Sequence, residues 1–214
     1  MGMSEGAVRN SAATARRRGN PLALAVLAQL GDKPMHPYEI ARVLKDGRKD
    51  ESVRLNYGSL YSVITALVRD GFIEPAGTEQ DGNRPQRTVY RLTAAGREEI
   101  DDWMRSLLGA PVKEFPQFMA ALSFMQVLAP DDAAALLRSR LVALRVAVRR
   151  LEDDLEQRVE ELPTLFTVET EYELALLLAE LRYTEVLVRR LRDGTLRGLD
   201  GWSDGALDEP IPPL

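Results

Sequence analysis

The stretch Asn56-Tyr57-Gly58-Ser59-Leu60-Tyr61-Ser62-Val63-Ile64-Thr65-Ala66-Leu67-Val68-Arg69-Asp70-Gly71-Phe72-Ile73-Glu74 changes its hydrophobic period part-way along. Up to Arg69, Leu60, Ile64 and Leu67 recur at helical spacing, with Val63 and Val68 beside them. Asn56 is suited to cap the start of this helix and Gly71 to stop it. Phe72-Ile73-Glu74 then reads as a short strand, and Thr88-Val89-Tyr90-Arg91-Leu92, rich in β-formers, as a second. Between them Gln80-Asp81-Gly82-Asn83 holds an Asp-Gly turn signal, in a polar tip carrying Arg84 and Arg87. A helix is therefore followed at once by a hairpin with a basic tip.

Upstream, Pro21 opens the apolar run Leu22 to Leu30, which Gly31 closes. A second helix starts at His36-Pro37-Tyr38-Glu39 and carries Ile40, Val43 and Leu44 on one face, before a charged loop from Gly47 to Ser52. Three short helices and a β-hairpin predict a winged helix-turn-helix. Leu24, Leu27, Ile40, Leu60, Ile64 and Leu67 are its expected core. Downstream, Thr93 caps a fourth helix with Ile100, Trp103 and Leu107 on one face, and Gly109-Ala110-Pro111 marks a boundary.

Beyond that boundary every pattern is helical. Phe115, Phe118, Met119, Leu122 and Met125 make one stripe, and Asp131-Asp132 suit a helix start after Pro130. Leu137, Leu141, Leu144, Val148, Leu151 and Leu155 recur at nearly heptad spacing, Pro163 interrupts, and Glu169 to Arg192 forms a last long helix with Leu174, Leu177, Leu178, Leu181 and Leu191. The fold class is mainly α. A disordered tail (1–19) precedes the winged helix-turn-helix domain (20–110), which is followed by an all-helical dimerisation domain (111–193) and a flexible tail (194–214).

Composition narrows the function. The 214 residues include no cysteine and one histidine, His36, which removes thiolate and Cys-zinc chemistry and leaves little for a His-based triad. Carboxylate chemistry stays open, but an enzyme is not expected, nor is any cofactor. No run approaches the length of a membrane span and no signal peptide is visible, so a cytoplasmic protein is expected. The net charge of −5 hides an asymmetry: residues 1–97 carry 15 Lys and Arg against 10 Asp and Glu, whereas residues 98–214 carry 13 against 23. A basic lobe suits a polyanion despite the overall charge.

A helix of this kind fits the major groove of duplex DNA, where its N-terminal residues meet base edges and its free N–H groups favour phosphate. The face opposite Leu60 and Ile64 presents Asn56, Tyr57, Ser59, Ser62, Thr65 and Arg69, short hydrogen-bonding groups with an aromatic. Arg84 and Arg87 would reach phosphates or a neighbouring groove. The competing interpretation is a solvated amphipathic face, in a helical adaptor whose winged helix contacts another protein. The adjacent hairpin and local positive charge favour DNA.

Leu22 to Leu30, His36-Pro37-Tyr38-Glu39-Ile40, Gly58-Ser59-Leu60-Tyr61, Leu67, Gly71-Phe72-Ile73 and Tyr90-Arg91-Leu92-Thr93 with Gly96 resemble the PadR family of transcriptional regulators across residues 20–108. The helical remainder resembles the longer PadR subfamily with a virulence-activator-like α C-terminal domain. The resemblance implies a homodimeric DNA binder, usually a repressor, at a pseudo-palindromic operator. Tyr61 takes the place of the family's recognition-helix tyrosine, with Gly58 in the same motif. Ser62 stands where proline is usual and Pro37 where glycine is usual. Trp103, on an apolar helix face, is expected foremost in core or dimer packing, and the resemblance also implies, as the minority role, that a small aromatic effector can enter near it.

The remaining candidates weigh differently. His36, just before a helix, is suited to capping or packing, with pH or effector sensing as the minority role. Asp131-Asp132 and Asp153-Asp154 are adjacent pairs that diverge by about 100° on a helix, so a solvated acidic surface is expected rather than a metal site. Arg16-Arg17-Arg18 read as a disordered solubilising tail, with a minor-groove arm as the alternative. The surplus apolar stripes of the C-terminal helices point to homodimerisation through Leu137, Leu141, Leu144, Val148, Leu151, Leu155, Leu174, Leu178 and Leu181, because two reading heads need a fixed spacing. The alternative is a bundle that packs only within its own chain.

Overall fold

In a computed structural model, residues 19–49, 52–79, 87–203 and 206–207 are described, and the chain divides after Lys113 into two compact units. The hairpin tip with Arg84, the first 18 residues with Arg16 to Arg18, and residues 208–214 lie outside the described residues.

The first unit begins with α1 (Pro21–Asp32), where the Asn20 side chain accepts from the Leu22 N–H at 3.1 Å and Pro21 starts the helix. In α2 (Pro37–Asp46) the capping group is His36, whose Nδ1 accepts from the Tyr38 N–H at 3.0 Å. Pro37 sits at the first helical position, where its missing N–H costs nothing. The third helix, α3 (Tyr57–Arg69), is capped by Asn56, whose Oδ1 accepts from the Ser59 N–H at 2.7 Å. After it Gly71 adopts φ +76°, a conformation that favours glycine, and turns the chain into the hairpin.

That hairpin pairs β1 (Ile73–Glu79) with β2 (Arg87–Leu92), antiparallel. The first strand runs five residues beyond the expected Phe72-Ile73-Glu74, through Pro75-Ala76-Gly77, which is poor strand sequence. A register shift between Pro75 and Gly77 absorbs the extra residue. Met35 adds a bridge to Tyr90, a rudimentary third strand ahead of α2.

Next comes α4 (Ala94–Gly109), joined tightly to the turn. The Thr93 hydroxyl accepts from the Gly96 N–H at 3.0 Å and donates to the Gly71 carbonyl at 2.8 Å. A Cβ at position 96 would stand 2.1 Å from the Phe72 carbonyl oxygen, so only glycine fits there. The core unites Leu22, Val26, Leu27 and Leu30 of α1 with Ile40, Leu44, Leu60, Ile64, Leu67, Ile73, Leu92 and Trp103. Leu24, expected inside, is only partly buried, and Leu107 is exposed because the buried face of α4 runs through Gly96, Ile100 and Trp103.

The second unit opens with the short helix α5 (Gln117–Ser123) and a 3-10 turn (Met125–Val127), none of whose residues is fully buried. It is dominated by two long helices, α6 (Pro130–Glu161) and α7 (Val168–Arg192), folded back on each other across a 3-10 turn (Thr164–Phe166). Arg140 donates to Glu180 and Arg145 to Glu185, each at 2.7 Å. Near the bend Arg158 reaches Thr170 at 3.2 Å and the Phe166 carbonyl at 3.3 Å. The chain after Gly194, expected as a frayed tail, is structured in part. A 3-10 turn (Leu199–Gly201) leads into β3 (Trp202–Ser203), which pairs with β4 (Ala206–Leu207). Trp202 is 7% exposed and its indole N–H donates to the Leu128 carbonyl at 2.7 Å. That bond and the burial of the ring hold the segment in place.

Candidate nucleic-acid interface

Four turns of α3 sort into two faces. Leu60, Val63, Ile64 and Leu67 enter the core, which fixes the helix and leaves Tyr57, Gly58, Tyr61, Ser62, Thr65 and Arg69 exposed, with Ser59 half-buried. Tyr57 is 47% and Tyr61 50% exposed, a large amount of aromatic surface for the outside of a helix. The hydroxyl of Ser62 donates to the Gly58 carbonyl and that of Thr65 to the Tyr61 carbonyl, both at 2.9 Å. Their protons are thus used within the helix, and each oxygen still offers lone pairs outward. Arg69 donates to Asp70 at 3.0 Å, and that hydrogen bond, with the attraction of the carboxylate, raises its pKa further. Arg69 is exposed while Asp70 is half-buried, so the guanidinium keeps a solvent-facing side open to a further anion.

Arg87, at the root of the wing, is half-buried, and its guanidinium carbon lies 5.8 Å from the Tyr38 ring centroid. Tyr38 is stacked on Tyr57, centroids 6.4 Å apart and planes 10° apart, and Lys45 Nζ stands 5.5 Å from the Tyr57 ring. Tyr38 and Lys45 were missing from the sequence-based site. The helical period places both away from the Ile40 face of α2, but their approach to Tyr57 depends on how two helices cross, which one sequence does not display.

The residues expected to pair two chains are mostly used within one. Leu137, Leu141, Leu144, Val148 and Leu151 of α6 are buried, and Leu155, Leu174 and Leu181 are half-buried. Their heptad-like spacing serves the α6–α7 hairpin, because a short bend brings a second amphipathic helix alongside before any partner arrives. Leu178 alone of that set is exposed, at 43%.

Of the two expected effector residues Trp103 is buried and His36 half-buried. Trp103 is 1% exposed inside the core, and among the described residues its indole N–H has no hydrogen-bond partner. The imidazole Nδ1 of His36 is taken up by its cap. The second unit instead contains a solvent-open apolar cavity of about 600 Å³, lined among others by Phe118, Leu122, Phe124, Met125 and Leu137. Arg140 also lines it, its guanidinium carbon 3.7 Å from the Phe118 ring centroid.

Comparison with known proteins bears on this arrangement. Residues 26–102, which run from within α1 through β2 to most of α4, match the Transcriptional regulator PadR-like family. This chain carries a PadR-like domain. Over 136 residues it is 24% identical to the negative transcriptional regulator PadR of Bacillus subtilis, covering 64% of this chain and 74% of that protein. The fold resembles the crystal structure of Bacillus subtilis PadR in complex with operator DNA, with a TM-score of 0.65 at 19% identity, over 80% of this chain and 99% of that one. It also resembles the same protein in complex with p-coumaric acid, with a TM-score of 0.59 at 18% identity, over 80% and 95% of the two chains. The PadR-like domain is thus the winged helix-turn-helix unit, and its outward helix face is α3. Among the described residues no helix is long and apolar enough to cross a membrane.

Proposed function

We propose that this chain is a transcriptional repressor that binds a pseudo-palindromic operator as a homodimer, and that it belongs to the longer PadR-like proteins with a helical C-terminal domain. The observation that carries the reading is the exposed face of α3, with Tyr57, Tyr61, Ser62 and Thr65 outward beside a wing rooted in Arg87. Asn56, Gly58, Ser59 and Arg69 complete the helix contribution, and Arg84 and Arg87 the contribution of the wing. The relative solved on operator DNA supports this assignment. Selection of binding sites from a random duplex pool, followed by footprinting, tests it. A two-fold related site protected by the full chain is expected, and no enrichment over random DNA would refute the reading.

The homodimer is proposed to form through outward apolar residues of the second unit, among them Leu178, Tyr183 and Val186, with the buried seam as their support. A two-fold operator requires two heads held at a set distance. Sedimentation should give a dimer for the parent and a monomer for Leu178→Asp, with the helix content unchanged.

A small aromatic effector is proposed for the cavity of the second unit, whose volume suits such a ligand. The relative solved with p-coumaric acid supports the class of ligand. Trp202 reports on this cavity because it bonds the carbonyl of Leu128, one of the lining residues. In a Trp103→Phe background, p-coumaric acid should quench Trp202 and weaken operator binding together. Quenching with unchanged operator affinity would reduce the ligand to incidental stickiness.

A further inference from the structure

We infer that Arg87, Tyr38, Tyr57 and Lys45 form one cation–aromatic ladder that joins the wing to the recognition helix, with Tyr38 as the positioning residue that sets where Arg87 meets DNA. The inference rests on the DNA-binding reading above and adds two residues of α2 to it. Arg87 stands 5.8 Å from the Tyr38 ring, Tyr38 is stacked on Tyr57 at 6.4 Å, and Lys45 lies 5.5 Å from Tyr57. Three elements distant in sequence are thereby tied through side chains: the first residue of β2, both ends of α2, and the first residue of α3.

These groups are not held together by burial. Tyr38 is 53% exposed and Tyr57 47%, so the ladder lies on the surface, with a cation at each end. An arginine side chain in solvent samples many rotamers, and fixing it costs conformational entropy at the moment of binding. An aromatic face that attracts the guanidinium bears part of that cost beforehand, while leaving the N–H groups at its edge available to phosphate oxygens. Glu39, next to Tyr38 in the chain, is paired with Lys33 at 2.8 Å. Lys45, at the other end, sits in the last turn of α2, where a cation is favoured and within reach of the N-terminus of α3. The two cations and the stacked rings thus form a strip alongside the base-reading face, suited to the phosphates of one strand. Tyr57 has a double role: it is part of the exposed α3 face and it takes the stack from α2.

The test is a double-mutant cycle in the full chain, using a duplex selected from a random pool and a random-sequence duplex. Tyr38→Phe keeps the ring and should bind as the parent does. Tyr38→Ala and Tyr38→Leu should each weaken binding about two- to fivefold, the scale of an exposed cation–π contact. Arg87→Ala should weaken it further and lower the salt slope by about 1. The double variant of Tyr38→Ala with Arg87→Ala should bind no more weakly than Arg87→Ala alone, because the tyrosine acts through the arginine. Additive losses, or a Tyr38→Leu protein that binds like the parent, would overturn the ladder. Amide resonances of the free protein supply an independent readout. Those of Arg87 and Thr88 should move in Tyr38→Leu and stay in place in Tyr38→Phe. If they stay in place in both, the ladder is refuted whatever the DNA result. If they move as expected while no duplex is bound even by the parent, the DNA-binding reading fails and the physical link survives.

Discussion

The two units use the same material, capped amphipathic helices with leucine-rich faces, and differ in how far each helix's neighbours are written into its own sequence. In the first unit, side-chain caps from Asn20, His36, Asn56 and Thr93 start four helices through bonds spanning two or three residues. Gly71 and Gly96 then set the turn and the closest approach. In the second unit α6 and α7 start without a side-chain cap, and their stripes are compatible with a partner helix from the same chain or from another. Local bonds specify which residue begins an element. A leucine stripe specifies only that something apolar must cover it.

The sharpest way to break this comparison is to remove one residue from each core. Trp103→Ala should destabilise the first unit by about 3–5 kcal/mol, the usual range for a buried tryptophan, measured by urea unfolding with Trp202 as a probe that stays native to higher denaturant. If both units unfolded together in one transition, their independence would be lost.

Leu144→Ala is next, at about 2–5 kcal/mol, because Leu144 lies on the buried face of α6. The partner substitution Leu178→Ala, at an exposed site, should leave unfolding of the dilute protein within about 0.5 kcal/mol. Equal costs at the two positions would mean that the seam and the outer face are not distinct.

Asn56→Ala removes a cap and should cost about 1 kcal/mol of stability, measured by thermal melting with circular dichroism. A change limited to DNA affinity would show that α3 is held by its packing alone. The smallest effect belongs to Arg145→Ala, which breaks an exposed pair with Glu185. It should shift stability by no more than about 0.5 kcal/mol, and by less at high salt.

These contrasts explain which parts of the molecule were legible in the sequence. The winged helix-turn-helix was, because caps, glycine stops and the change from helical to strand period are read within a few residues of each other. The exposed face of α3 followed from the burial of its opposite face. The full length of β1 was hidden because Pro75-Ala76-Gly77 reads as a turn, whereas a bulge lets pairing continue through it. The bridge from Met35 to Tyr90 and the stack of Tyr38 on Tyr57 were hidden because each joins segments whose approach depends on the assembled core. The seam from Leu137 to Leu155 was recognised as a packing surface and given to a second chain. The bend at Pro163, present in the sequence, was the signal that α7 would return to it. The anchoring of Trp202 had no local signal, since its acceptor lies 74 residues away.

The junction at Thr93 has a mechanical consequence. One hydroxyl holds both the turn after α3 and the first turn of α4, and the missing side chain at Gly96 lets the helix backbone press against the Phe72 carbonyl. Such a rivet leaves little play between the root of the wing and the helix that leaves the domain. A displacement of β1 and β2 is therefore expected to carry the first turn of α4 with it, as a lever turns its shaft, with a single threonine as the fulcrum.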